Sequence, residues 1–238
     1  MKTTTIVPGI LQDSFVSIQT HVGLVKDFVS HVQLDICDGI FVQKATWPYA
    51  FKDTAIYSDI IEEGDGLPYW QDVNYELDLM VENAHKKFFT DWIKLGPSRI
   101  VFHFEAEDTA SFISFLQNLD LFYKETIQIG VAINITTDPK VLEPLINDIA
   151  FVQCMGIETI GVQGAQFDNR VIEHIQKIHT LYPDTKITVD GGVNFSSIKE
   201  LQKLPISRYV VGSALYTSFY LEETINELRG LVEKNVVE

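Results

Sequence analysis

Three segments of the chain, VQLDIC (32–37), YELDLM (75–80) and KITVD (186–190), are apolar runs broken at alternate positions by proton-carrying or cation-holding side chains. Alternate side chains of an extended strand point to opposite faces. Gln33, Asp35 and Cys37 therefore share one face of the first run, Glu76, Asp78 and Met80 one face of the second, and Thr188 and Asp190 one face of the third. Val, Leu, Ile and Tyr occupy the opposite faces. A lone carboxylate withdrawn from water costs on the order of several kcal/mol unless it is paired, protonated or bound to a metal. Three carboxylates facing one space repel, so a proton or a cation must come between them. The chemistries open to such a set are acid–base catalysis and the holding of a divalent cation. For any one of these residues an ordinary core polar group, satisfied by its neighbours, is the plainer account; for three together it is weaker. In RIVFHFEA (99–106), His103 and Glu105 fall on the same parity, opposite Phe102 and Phe104.

The elements that must position these groups can be read from the same alternation. Strand-like runs occur at 4–11, 31–37, 75–81, 99–106, 127–134, 151–157, 186–192 and 208–216, separated by amphipathic stretches such as TASFISFLQNLDLFY and NRVIEHIQKIHTLY. Strands alternating with helices indicate βαβ units and a parallel sheet, and eight strands close a barrel. The expected fold class is α/β, a single (β/α)8 TIM barrel over 1–238. No GxGxxG follows the first run to support a doubly wound sheet. One interval, 38–74, exceeds a loop and a helix, which predicts an enlarged β2–β3 connection with residues 45–72 as a lobe beside the barrel mouth. The polar residues cluster toward the C-terminal strand ends, where barrel active sites form.

Eighteen basic against 33 acidic side chains give a net charge of −15. That charge opposes nucleic acid and anionic membranes as partners. MKTTTIVPGIL lacks an apolar signal core, and no run has the length of a membrane span. Cys37 and Cys154 stand in apolar runs outside any CxxC pair and read as buried free thiols. The expectation is a cytoplasmic protein; assembly into a homo-oligomer is left open.

IVPGIL, VQLDICDGIFV, ELDLMV, FHFEA, GVAINITTDP, MGIETIGVQGAQF, ITVDGG and VGSALY together resemble, in order and spacing, the ribulose-phosphate 3-epimerase family from residue 5 to about 216. The resemblance implies a barrel that inverts C3 of a pentulose 5-phosphate through an enediolate, with two aspartates as acid and base and usually a divalent metal held by two histidines and those aspartates. Carried onto this chain, Asp35 and Asp190 match the acid/base pair. Met80 and Met155 match apolar residues around the reacting carbons, with lumen packing as the equal alternative; Cys37 stands where the family has a further methionine. Gly9 stands in the first-strand loop where a serine is usual. Phosphate contacts would come from backbone N–H groups at Gly164, Gly191, Gly192, Gly212 and Ser213, since glycine lets the backbone approach and the loops after strands seven and eight commonly hold phosphate. A phosphate held by amides and a helix N-terminus needs no arginine, so net acidity does not exclude a phosphorylated sugar.

The chain also departs from that pattern. Gln33 and Asp78 occupy the two histidine positions, FVQK replaces the usual asparagine-bearing turn, and GVQGAQ replaces a more glycine-rich lid. With Gln33, Asp35, Asp78 and Asp190 as the candidate ligands, the donors are oxygens. They favour Mg²⁺ or Mn²⁺ (Ca²⁺ is also compatible) over Zn²⁺ or Fe²⁺. The alternative is no metal, with Asp78 protonated or hydrogen-bonded to Gln33; His103 is either a replacement ligand or a satisfied core group. Three functions follow in order: an epimerase interconverting D-ribulose 5-phosphate and D-xylulose 5-phosphate; a sugar-phosphate-binding protein without turnover; and a decarboxylase or aldolase of a keto-sugar phosphate, which would generally need a lysine that no strand core supplies.

Overall fold

The lumen parity read from the sequence becomes a closed cylinder. The computed structural model describes residues 5–50 and 54–233. Strands β1 (Thr5–Ile10), β2 (His31–Cys37), β3 (Asn74–Met80), β4 (Arg99–His103), β5 (Gln128–Ile133), β6 (Phe151–Met155), β7 (Lys186–Asp190) and β8 (Ile206–Val211) pair in parallel, each with the next, and β8 closes on β1. Between and after them lie α1 (Phe15–Val25), α2 (Thr54–Glu63), α3 (Thr109–Asn118), α4 (Leu121–Thr126), α5 (Arg170–Leu181), α6 (Phe195–Leu201), α7 (Ser213–Tyr216) and α8 (Leu221–Glu233).

The outward faces of the strands and the inward stripes of the helices form one core. Val32, Leu34, Ile36, Leu77 and Leu79 are wholly buried and join Ile18, Val22 and Val25 of α1. The spacing of that triplet puts it on one helical face. Each such side chain contributes about 1.5–3 kcal/mol by leaving water. The Ser14 side chain starts α1 by accepting from Ser17 N–H at 3.3 Å. Asn194 and Ser197 cap α6 reciprocally.

The crossovers are less regular than the alternation predicts. The stretch TASFISFLQNLDLFY is two helices, because the Asp120 side chain accepts from Phe122 N–H at 2.8 Å and starts α4 anew. Between β3 and β4 the chain uses 3-10 turns at Ala84–Lys87 and Trp92–Leu95, anchored by wholly buried Phe88 and Trp92. Between β5 and β6 another spans Pro139–Leu142.

The β2–β3 connection divides. Residues 38–50 lie at the mouth: Thr46 Oγ1 donates to Asp35 O at 2.8 Å, and Trp47 N–H donates to Gln12 O at 3.0 Å. Wholly buried Trp47 packs on Phe15 and Tyr57, which leads α2 down the outer wall. Tyr69 then sits against Gly23 and Lys26 near the end of α1, the side from which β3 begins. Residues 51–53 of the 45–72 segment lie outside the described residues.

Candidate active site

β2, β3 and β7 each bring an aspartate to the C-terminal half of the lumen. Asp35 is directly opposite Asp78 across the β2–β3 ladder, and Asp190 ends β7 opposite Met155. One oxygen from each of Asp35, Asp78 and Asp190 lies within 4.8 Å of the others. Gln33, one strand repeat below Asp35, reaches between two of them. Its Nε2 donates to Asp35 Oδ1 at 3.0 Å and to Asp190 Oδ2 at 2.8 Å. Asp78 is not hydrogen-bonded to Gln33, one of the two arrangements expected for a metal-free site. Instead its Oδ1 is 2.9 Å from His103 Nε2, and both side chains are wholly buried. His103 reaches Asp78 across the β3–β4 ladder, two residues beyond Val101, which stands opposite Asp78.

Glu105 does not join this lumen. β4 ends at His103, and Phe104–Ala106 turns as a short 3-10 helix. Its carboxylate accepts from Asn134 N–H at 2.8 Å and from Thr137 Oγ1, tying the loop after β5. A site residue that the sequence reading passed over is Gln153 of β6, whose Nε2 lies 3.4 Å from Asp190 Oδ2. Its position between Phe151 and Met155 on one parity was the available signal.

Burial shapes the electrostatics. It raises the Asp35 carboxyl well above the usual carboxylate range, and Asp190 and Asp78 add to the rise while the Gln33 amide opposes it. Asp190 is raised to about 7, first by burial and then by Asp78, against the opposing effects of Gln33 and His103. Burial, the largest single influence, would lower His103, but Asp78 beside it, with Glu105 and Asp190, raises it on balance. Burial also raises the Cys37 thiol, which leaves it a packing group beside Met80 at 3.9 Å. Burial and mutual repulsion thus raise both carboxyls, so the pair holds a proton between them more readily than it ionises twice. A proton can therefore be given by one and taken by the other.

Beyond the aspartates the lumen narrows to a 60 Å³ cavity lined by Gly9, Asp35, Gly164, Asp190, Gly191, Gly192, Gly212 and Ser213, among others. It adjoins a 460 Å³ cleft that shares Gly164, Gly192 and Ser213 and carries polar groups such as Gln166, Asn169 and Asn194. Gly191 and Gly192 have φ of 99° and 66°, the left-handed region that disfavours side chains. A Cβ on Gly192 would lie 2.6 Å from the Phe167 backbone. Met80 and Met155 do not line either space. They are buried on the lumen face, Met80 with Leu11, Cys37 and Val42, and Met155 with Val101, Ala132 and Phe151.

The donor set fits an oxygen-preferring cation. Besides the three clustered carboxylates, Asp78 Oδ2 and Gln33 Oε1 are buried without a hydrogen-bond partner. Gln33 presents its nitrogen, not its oxygen, to Asp35 and Asp190, so it would have to turn its amide to serve as a ligand. His103 Nε2 is engaged by Asp78.

The sequence model of the ribulose-phosphate 3 epimerase family matches residues 5–216. The chain belongs to that family. Relatives named ribulose-phosphate 3-epimerase include one from Helicobacter pylori, 26% identical over 219 residues and covering 90% of this chain and 91% of its own. Another, from Schizosaccharomyces pombe, is 23% identical over 236 residues, covering 98% and 96%. Solved structures with the same fold include a KGPDC from Streptococcus mutans (TM-score 0.72, 9% identity, 98% of each chain). The 3-keto-L-gulonate-6-phosphate decarboxylase of Vibrio cholerae superposes with a TM-score of 0.69 at 11% identity, over 98% of this chain and 99% of that one. Among the described residues, no helix is long and apolar enough to cross a membrane.

Proposed function

We propose that the protein is a cytoplasmic sugar-phosphate epimerase that interconverts D-ribulose 5-phosphate and D-xylulose 5-phosphate, with Asp35 and Asp190 as the acid/base pair. The observation that carries the reading is the joining of those two carboxyls by one amide nitrogen, at 3.0 and 2.8 Å, with a glycine-lined throat directly beyond them. Inversion at C3 needs a base on one face of the carbon and an acid on the other. The ionised carboxylate takes the C3 proton, the electron pair moves into the C2 carbonyl to give an enediolate, and the protonated carboxyl returns a proton to the opposite face. Two buried carboxyls that share a proton more readily than both ionise supply the acid and the base that this step requires.

In this reading the phosphate sits against the N–H groups of Gly164, Gly191, Gly192, Gly212 and Ser213. The absence of side chains at the glycines lets an anion meet the backbone. The 60 Å³ cavity continues into the 460 Å³ cleft through Gly164, Gly192 and Ser213, and the remainder of the sugar phosphate would extend along that path. Asp35, Asp78 and Asp190, with Gln33 turned to its Oε1, would hold a divalent cation, Mg²⁺ or Mn²⁺ ahead of Zn²⁺ or Fe²⁺. When bound, such an ion stabilises negative charge on the substrate oxygens.

The test is hydrogen exchange at C3 of ribulose 5-phosphate in deuterated water, followed by NMR with Mg²⁺, with Mn²⁺ and with chelator. The wild-type protein should exchange and epimerise, and Asp35→Asn or Asp190→Asn should stop both while inorganic phosphate still binds. Exchange that survives both substitutions overturns the acid/base assignment. No exchange in the wild type under any of the three conditions replaces the enzyme with a binding protein.

A further inference from the structure

We propose that the floor of the barrel, at the opposite end from the aspartates, is a binding site for a small monovalent anion of the halide type, held between the guanidinium groups of Arg99 and Arg208. The floor is built from β3, β4, β5 and β8. In register, Glu76 faces Arg99, Arg99 faces Gln128, and Arg208 faces Thr5 and Thr188. Among the described residues, two guanidiniums therefore meet one carboxylate in this layer, an excess of one positive charge.

The hydrogen bonds leave the same excess of donors. Arg99 Nε donates to Glu76 Oε2 and its Nη1 to Gln128 Oε1 at 2.5 Å, while its Nη2 is buried with no acceptor. Arg99 is 5% exposed and lies 3.6 Å above the Phe151 ring, so packing fixes where the free Nη2 points. Phe151 can occupy that position because β5 has Gly130 beside it; a Cβ there would lie 2.2 Å from the ring. Arg208 Nη2 stands 3.7 Å from Glu76 Oε2, beyond hydrogen-bond reach, and its Nε and Nη2 have no acceptor. Two buried guanidiniums that share one carboxylate leave a positive charge only partly compensated, and desolvated N–H groups without acceptors add to that cost.

Water would accept from these N–H groups but would not neutralise the charge. A spherical anion does both, because it accepts from several N–H donors without directional demands. Neighbouring His31 does not enlarge the positive charge: burial and the two arginines push it down to about 4, so it is neutral at physiological pH. Glu76 Oε1, also buried without a partner, repels an anion and confines it to the side of the guanidiniums away from the carboxylate. Arg208 keeps 11% of its side-chain surface, which leaves a route from solvent. The site is remote from the catalytic mouth, so the ion's role is to hold β3, β4 and β8 together at the end of the barrel that governs stability.

The experiment is a crystal soaked in sodium bromide, read by anomalous scattering, together with thermal melting in sodium chloride and in sodium gluconate at equal ionic strength. A bromide peak within hydrogen-bond distance of Arg99 Nη2 and Arg208 Nε is expected. At a tenfold excess of chloride over its dissociation constant, Tm should exceed the gluconate value by about 3–5 °C. Arg208→Gln should abolish that difference. Ordered water alone at the floor, or equal Tm in the two salts for the wild-type protein, overturns the proposal. The wild-type comparison stands whether or not the variant folds.

Discussion

Replacing Gln33 with methionine keeps the volume of the side chain and removes the donor that joins Asp35 to Asp190. Each lost contact has a different worth. The bond to Asp35, the longer of the two at 3.0 Å and made to a carboxyl raised well above the usual range, contributes about 1 kcal/mol. The bond to Asp190, 2.8 Å long and made to a group ionising near pH 7, contributes about 1.5–3 kcal/mol when that group is charged. Together the loss is about 2.5–4 kcal/mol at pH 8, with chelator present so that no cation replaces the amide. For a chain of this size the urea slope is about 2–3 kcal/mol per M, so the midpoint should fall by about 1 M with the slope unchanged. The pH dependence has a definite sign. Gln33 favours the charged form of Asp190, so its removal raises the Asp190 pKa above its value of about 7. The folded variant then binds more protons than the folded wild type near neutrality. Its deficit in stability is therefore largest above pH 7 and shrinks as pH falls and both carboxyls become neutral. Urea titrations at pH 5.5 and 8, with NMR titration of the Asp190 carboxyl, measure both effects. A midpoint shift below about 0.3 M at pH 8, with the Asp190 titration unmoved, would show that the amide does not bridge the pair.

Gly212→Val should leave the fold intact, because a Cβ there meets only Gly9 O at 3.5 Å and Gly212 has φ of −96°, but the larger side chain should occupy the anion's place. Calorimetry should then show at least a tenfold loss of ribulose 5-phosphate affinity with Tm nearly unchanged; unchanged affinity would count against the phosphate site. For His31, the folded pKa of about 4 lies below the unfolded value of 6.5, so the unfolded chain binds the extra proton and stability falls as pH drops from 6.5 toward 4. His31→Asn should flatten that limb of a Tm-against-pH curve while leaving Tm at pH 8 within a few degrees, and an unaltered limb would refute the assignment.

The barrel was legible because its signal repeats. The strict alternation in β2, β3 and β7 fixes which side chains enter the lumen, and the structure buries Gln33, Cys37, Glu76, Asp78 and Thr188 there. The crossovers were less legible, since a helical period is a weak signal over short, aromatic-rich segments. Strand–helix alternation predicts a helix between β3 and β4, yet that link folds as 3-10 turns around Phe88 and Trp92. The division of the β2–β3 connection was hidden for another reason. Thr46 and Trp47 are pinned to the mouth by bonds to Asp35 and Gln12, residues distant in sequence whose backbone becomes available only when the barrel has closed.

Within the site, parity told which residues share the lumen but not which of them touch. Gln33, Asp35, Asp78, His103 and Asp190 all follow from alternation, whereas their pairing depends on strand order and register. A strand repeat places Gln33 one step below Asp35, and closure of the barrel brings Asp190 of β7 to the same amide from the other side, 157 residues away in sequence. The neighbouring β3–β4 ladder gives Asp78 to His103 instead. In the lumen as it stands, Asp78 is paired with His103, whose proton affinity that carboxylate helps to raise. The N–H group of Gln33 holds Asp35 and Asp190 together. One side chain of β2 thus joins two carboxyls, while the third, on β3, is left to its neighbour on β4.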